Sequence, residues 1–213
     1  MTPSPLPGAS PLLAIRMLLY DNPISGNCYK VRLLFAHLDL YYERRELDVI
    51  DRSDRREVLG ALNPALRVPT LVLDDGRVLA ESNAILFYFA EGSDYLPAGR
   101  FERAQVLQWM FFEQYSHEPF IAVSRFWAHA RITPPRSERE AKHRGGVAAL
   151  ATLEGHLTSR AFLVAEHYSI ADISLYAYTH VADEGGFELG PYPAIRSWLA
   201  RVAIQPGHVQ ITD

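Results

Sequence analysis

The chain has 213 residues, 48% of them hydrophobic and 22% charged, ordinary proportions for a soluble globular protein with one large or two small cores. A formal net charge of -4 excludes the basic footprint of a nucleic-acid binder, and the apolar runs are too short to span a membrane. The single cysteine, Cys28, excludes an internal disulfide and is compatible with a reducing compartment.

Residues 1–15 hold four prolines within MTPSPLPGASPLLA and no charge before Arg16, which reads as a disordered or vector-derived tail without the basic start of a signal peptide. Met17-Leu18-Leu19-Tyr20 predicts a first strand, ended by the turn-prone Asp21-Asn22-Pro23. From Asn27, the residues Val31, Leu34, Phe35 and Leu38 recur at helical spacing, so a helix runs to about Leu38. Residues 42–47 alternate like a second strand, and the charged residues 51–62 fit a short surface helix or loop. Thr70–Leu73 and Val78–Ala80 flank an Asp-Gly turn and predict a hairpin, with Pro69 opening it where a missing N–H does least harm. Glu81-Ser82-Asn83 then start a helix to about Glu91, whose free N–H groups form a natural carboxylate site. This order fits a small mixed sheet with helices on both faces, a unit over residues 16–92 closed by a linker at 93–100.

No convincing strand follows, so residues 101–213 read as an all-α domain. Phe101 to His129 is a long aromatic-rich helical pattern that Pro119 kinks or interrupts. Further helices are predicted over Glu138–Leu157, Ile170–Ala182 and Pro193–Val202. Ser169-Ile170-Ala171-Asp172 is a capping box worth about 1 kcal/mol, which gives Asp172 a structural role. The histidines lack metal-ligand spacing, and there is no glycine-rich phosphate loop.

Val68-Pro69 combined with Glu81-Ser82 resembles the glutathione-binding half of the cytosolic glutathione transferases, and the likeness extends over about residues 16–210. It implies a thioredoxin-like α/β N-terminal domain followed by an all-α domain. It also implies a cis Val68–Pro69 bond, with the Val68 backbone pairing with the peptide backbone of glutathione like an added strand. Glu81 would then hold the γ-glutamyl ammonium, and Ser82 with its helix N-terminus the carboxylate. Arg67 matches a position near the glycine carboxylate, although an ordinary solvated arginine reads the same way; Lys30 and His37 are weaker candidates. At this point in the chain, Ser169 to Asp172 look like the family's folding box.

Ser25 to Lys30 lie between the first strand and first helix, where a bound thiol would meet hydroxyl, amide and backbone donors. A free thiol has a pKa of about 8.5, and each unit of lowering needs roughly 1.4 kcal/mol. One charge-assisted hydrogen bond of about 1.5–3 kcal/mol would supply one to two units. Ser25 can equally be a plain helix cap. With the downstream motifs it matches the catalytic serine of theta-like and related bacterial transferases. Asn27 could take the thiolate contact as in the nu-like class, and Cys28 could form a mixed disulfide, in that order of preference. Tyr115, Ser116 and Phe120 are the candidates for the acceptor pocket. The resemblance implies a cytoplasmic, homodimeric detoxification enzyme, using glutathione as co-substrate and no metal, that conjugates the glutathione thiolate to a small, apolar electrophile. Glutathione-dependent disulfide or peroxide reduction is the alternative chemistry, and a non-catalytic scaffold the alternative class.

Overall fold

The computed structural model describes residues 17–213; the expected tail at residues 1–15 lies outside the described residues. Strand β1 (Leu18–Asp21) leads into helix α1 (Gly26–His37), strand β2 (Glu43–Glu46) and the short helix α2 (Arg55–Leu59). Strands β3 (Thr70–Val72) and β4 (Val78–Ala80) form the predicted hairpin, and helix α3 (Ser82–Ala90) follows it. The sheet order is β2-β1-β3-β4, with β1 parallel to β2 and antiparallel to β3.

The period of two along β1 distributes its side chains to opposite faces. Leu19 packs with Val31 and Phe35 of α1, Leu71, Leu73 and Ile85 of α3. Tyr20 points the other way and packs with Leu47 and Leu59 of α2. At the edge, β2 exposes all four of its residues, Glu-Arg-Arg-Glu, charges that discourage edge-to-edge pairing.

The chain then becomes helical: α4 (Arg100–Phe112), a π-helical turn (Glu113–His117), α5 (Glu118–His129), α6 (Arg136–Leu157), α7 (Ile170–Thr179), a 3-10 turn (Ala182–Gly185) and α8 (Pro193–Ala203). Pro119 sits in the first turn of α5, where its absent N–H costs little, and the π-helical turn directly precedes it. In α6, a Cβ at Gly145 or Gly146 would collide with the ring of Phe120 or Phe187, so the two glycines permit close helix approach rather than breaking the helix. The largest apolar cluster joins the two halves, uniting Tyr29, Leu33 and Leu34 of α1 and Leu86 of α3 with Ile173 and Ala177 of α7 and Trp198 of α8.

The capping box forms as read. Ser169 Oγ accepts from Ala171 N, and Ser169 N donates to Asp172 Oδ2 at 3.0 Å. Asp172 Oδ1 also accepts from Leu163 N at 3.0 Å and from Trp198 Nε1 at 2.9 Å, fastening α7 to α8. The chain's last residues return to the sheet half, where Tyr29 donates to Val209 O and Arg44 to Asp213 O. Among the described residues, no helix is long and apolar enough to cross a membrane.

Candidate functional site

The loop before α1 is held from three sides. Ser25 caps the helix by accepting from Cys28 N at 3.3 Å. Asn27 N donates to Tyr178 Oη at 3.2 Å, and Arg125 of α5 donates to Ile24 O. Gly26 allows this because a Cβ there would strike the Tyr178 ring. Ser25 and Asn27 remain half-buried and line a cleft of about 260 Å³. Cys28 is fully buried and is not among the cleft-lining residues. Burial pushes its thiol far up, with the negative charge of Asp21 adding to the effect, which opposes a nucleophilic role.

The second wall comes from the hairpin. The Val68–Pro69 peptide bond is cis. Asn63 Nδ2 and Thr70 Oγ1 donate to Arg67 O at 3.1 and 2.7 Å and hold the backbone just before it. Glu81 precedes α3 with φ 66 and ψ 114, a conformation that costs a non-glycine residue about 1–3 kcal/mol, and makes no side-chain capping bond. The first N–H groups of α3 are therefore free for an anion. Asn27, Arg67, Val68, Pro69, Glu81 and Ser82 surround a smaller hollow of about 40 Å³ together with Gln114 and Glu118. Arg67 and Val68 also line the larger cleft, so the two hollows adjoin.

The three residues expected in the acceptor pocket, Tyr115, Ser116 and Phe120, are not among the residues lining this cleft. Tyr115 is 84% exposed, and Phe120 packs against Gly145 with the Lys142 ammonium over its ring. Neither they nor Ser116 line the cleft; its helical wall is Glu118, Ala122, Val123, Arg125, Phe126 and His129. A π-helical turn accommodates one extra residue, so helix phase shifts by about 100° across it. Counting from Pro119 as a new helix start would have found the 118, 122, 125, 126, 129 face.

Lys30 and His37 are also redirected. His37 bonds to Pro206 O and Tyr168 Oη, outside the cleft. Lys30 is fully buried in an ion pair with Glu113 at 2.8 Å, so it is not a surface receptor for a carboxylate. Glu113 also accepts from Asn83 Nδ2 at 3.2 Å, and Ser174 Oγ, which donates to Asn83 Oδ1 at 2.8 Å, lies 3.4 Å from the carboxylate. Beside them His117 Nε2 donates to Thr179 Oγ1 at 2.9 Å, whose own hydrogen goes to Leu175 O, and burial with the Lys30 charge pushes the His117 pKa down to about 3. Burial, with Glu113 nearby, holds the Glu118 carboxyl above the usual carboxylate range. Arg125 is neutralised by Glu184 at 2.7 Å, whereas the exposed Arg52 and Arg67 give the cleft a cationic rim, with the buried Arg55 behind them. Among the described residues, no group of three His, Cys, Asp or Glu side chains is arranged to hold a metal ion.

Residues 24–91 match the family model for the glutathione S-transferase N-terminal domain, and residues 137–201 match that for its C-terminal domain. The crystal structure of a glutathione S-transferase from Pseudomonas fluorescens is 48% identical, with a TM-score of 0.87, and the match covers 92% of this chain and 99% of that one. The disulfide-bond oxidoreductase YfcG of Escherichia coli is 28% identical, over 88% of this chain and 90% of its own. Glutathione S-transferase 2 of Anopheles gambiae is 29% identical, over 88% and 91% respectively.

Proposed function

The chain belongs to the glutathione S-transferase family, and from that premise we propose that it binds glutathione in the two adjoining hollows and transfers its thiolate to a small electrophile. The observation that carries this reading is the meeting of the cis Val68–Pro69 bond and the uncapped start of α3 with Ser25 and Asn27 around two adjoining hollows. Ser82 and the α3 N–H groups suit the γ-glutamyl carboxylate, Glu81 its ammonium, Val68 the peptide backbone and Arg67 the glycine carboxylate. The thiolate would accept hydrogen bonds from the Ser25 hydroxyl and the Asn27 amide, preorganised donors for a sulfur anion. Ala122, Val123 and Phe126 supply an apolar wall for the acceptor, on which the thiolate forms its S–C bond as the leaving group departs.

A second chemistry, glutathione-dependent disulfide reduction, is favoured by one comparison, the likeness to YfcG over most of both chains. Assays of the purified protein with glutathione and an aryl halide, and with glutathione and a small disulfide, separate the two. Conjugation with turnover supports the transferase reading. Disulfide reduction without conjugation replaces it, and neither activity despite glutathione binding points to a scaffold.

The proposed homodimer would use the exposed faces of α3 and α4. Tyr88, Phe111 and Tyr115 leave large aromatic surface in solvent, and Phe111 and Tyr115 are four residues apart. A cytoplasmic role in detoxification completes the reading.

A further inference from the structure

We propose that Lys30 is a positioning residue: it fixes the Asn27 side chain so that Nδ2, the donor end of the amide, faces the cleft. The identity of the anion that this donor serves rests on the glutathione reading above; the orientation itself does not. The two ends of an asparagine amide have nearly the same shape, so their neighbours decide which way it points. Here the neighbours are unequal. Lys30 Nζ, which can only donate, is 2.9 Å from Asn27 Oδ1. The Ser82 hydroxyl donates to the same oxygen at 3.2 Å. Reversing the amide would set its NH2 group against the buried ammonium, donor against donor, and would lose a charge-assisted bond.

The lysine is itself held. Its ammonium pairs with Glu113 at 2.8 Å, both side chains fully buried; Glu113 accepts from Asn83 of α3, whose Oδ1 in turn accepts from Ser174 Oγ of α7 at 2.8 Å. The ammonium is also 3.5 Å from Ser82 Oγ. On the far side of the amide, Nδ2 lies 3.5 Å from Glu118 Oε1, a long contact to a cleft-lining group that an arriving anion can displace. Ser82 therefore belongs to two arrangements. When its hydroxyl turns to a carboxylate at the start of α3, Lys30 alone retains the Asn27 carbonyl. This links the γ-glutamyl anchor to the thiol donor through one oxygen atom.

The test has two arms. In the ligand-free wild-type protein, nuclear Overhauser contacts from the Asn27 amide protons report its orientation without any substitution. Stronger contacts to the Glu118 side chain than to the Lys30 ε-methylene support the proposal, and the reverse overturns it. The second arm measures the pKa of bound glutathione's thiol by thiolate absorbance. The variants are Lys30→Met/Glu113→Gln, which removes both charges together, Asn27→Ala, and the combination of all three. The expected result is a rise of about one unit, or tenfold less thiolate at low occupancy, in the double variant. In the Asn27→Ala background the same two changes should add less than about 0.3 unit, because Lys30 acts through the amide. Equal shifts in both backgrounds, or no shift in either, overturn the proposal. Failure of wild-type protein to bind glutathione would defeat the functional reading alone, leaving the amide orientation to be decided by the first arm.

Discussion

The two walls of the cleft are built on different principles. The wall from the sheet half combines backbone, in a cis bond before Pro69 and helix starts at Ser82 and Ser25, with the polar side chains of Ser25, Asn27, Arg67, Glu81 and Ser82. The wall from α5 uses side chains alone: Glu118, Ala122, Arg125, Phe126 and His129. The sheet-half wall suits one constant ligand, because its backbone groups fix the frame on which a few polar side chains act. A side-chain wall can change its acceptor by exchange of a few residues. Glutathione affinity and acceptor specificity should therefore separate under mutation.

The largest effect should come from neither wall but from the anchor that ties α7 to α8. Asp172→Ala removes the acceptor for Ser169 N, Leu163 N and Trp198 Nε1, all buried. Its expected cost is about 3 kcal/mol or more in urea denaturation, because three donors lose a charged partner inside the protein. A loss below about 1 kcal/mol would mean that the helical wall does not depend on this box.

Acid should expose the same asymmetry. His117, with a folded pKa of about 3, and His180, at about 4, bind fewer protons folded than unfolded. Their contribution is complete above about pH 6.5 and is lost as pH falls towards those values. Asp172, raised by burial to about 6, binds more protons folded, so its contribution is present below the ordinary carboxylate range and is lost as pH rises through 6. Between pH 7 and 5 these two histidines lose more than the aspartate gains, about 2 kcal/mol for the three groups alone. The lowered pKa values of His37, His156 and His208 act in the same direction, while the raised Glu118 opposes them. His117→Gln should flatten the fall of the urea midpoint across this range, and an unchanged slope would contradict it.

The walls separate most plainly in a smaller effect. Phe126→Ala should raise the acceptor KM about five- to tenfold, roughly 1 kcal/mol of lost contact, with glutathione affinity unchanged. Tyr115→Ala should leave the acceptor KM alone and weaken self-association instead, read by light scattering. A reversed pattern would return Tyr115 to the cleft.

Legibility in the sequence follows the same division. Val68-Pro69, Glu81-Ser82 and the Ser25 cap are local, so turn and cap chemistry places them at the ends of strands and helices, while the cis bond and their glutathione-binding roles come only from the family resemblance. The α5 wall depends on helix phase, which the π-helical turn at Glu113–His117 resets, and a regular 3.6-residue count through Tyr115 and Phe120 therefore points to the wrong face. The buried Lys30–Glu113 pair is non-local, joining residues from α1 and the π-helical turn that no short motif connects. A lysine within a helix pattern reads as solvated until its partner across the fold is known. Asp172 was legible because its box is local; its bond to Trp198 was not.

The most direct test of the account is a calorimetric titration of wild type and Ser82→Ala with glutathione at pH 7. The account predicts wild-type binding with a Kd near 1 mM or tighter, and a loss of roughly 2 kcal/mol, about 30-fold, when the charge-assisted bond from Ser82 is removed. Equal affinity in the two proteins would contradict the assignment of the γ-glutamyl carboxylate to the start of α3. No heat from wild type up to ~10 mM glutathione would contradict the central claim itself.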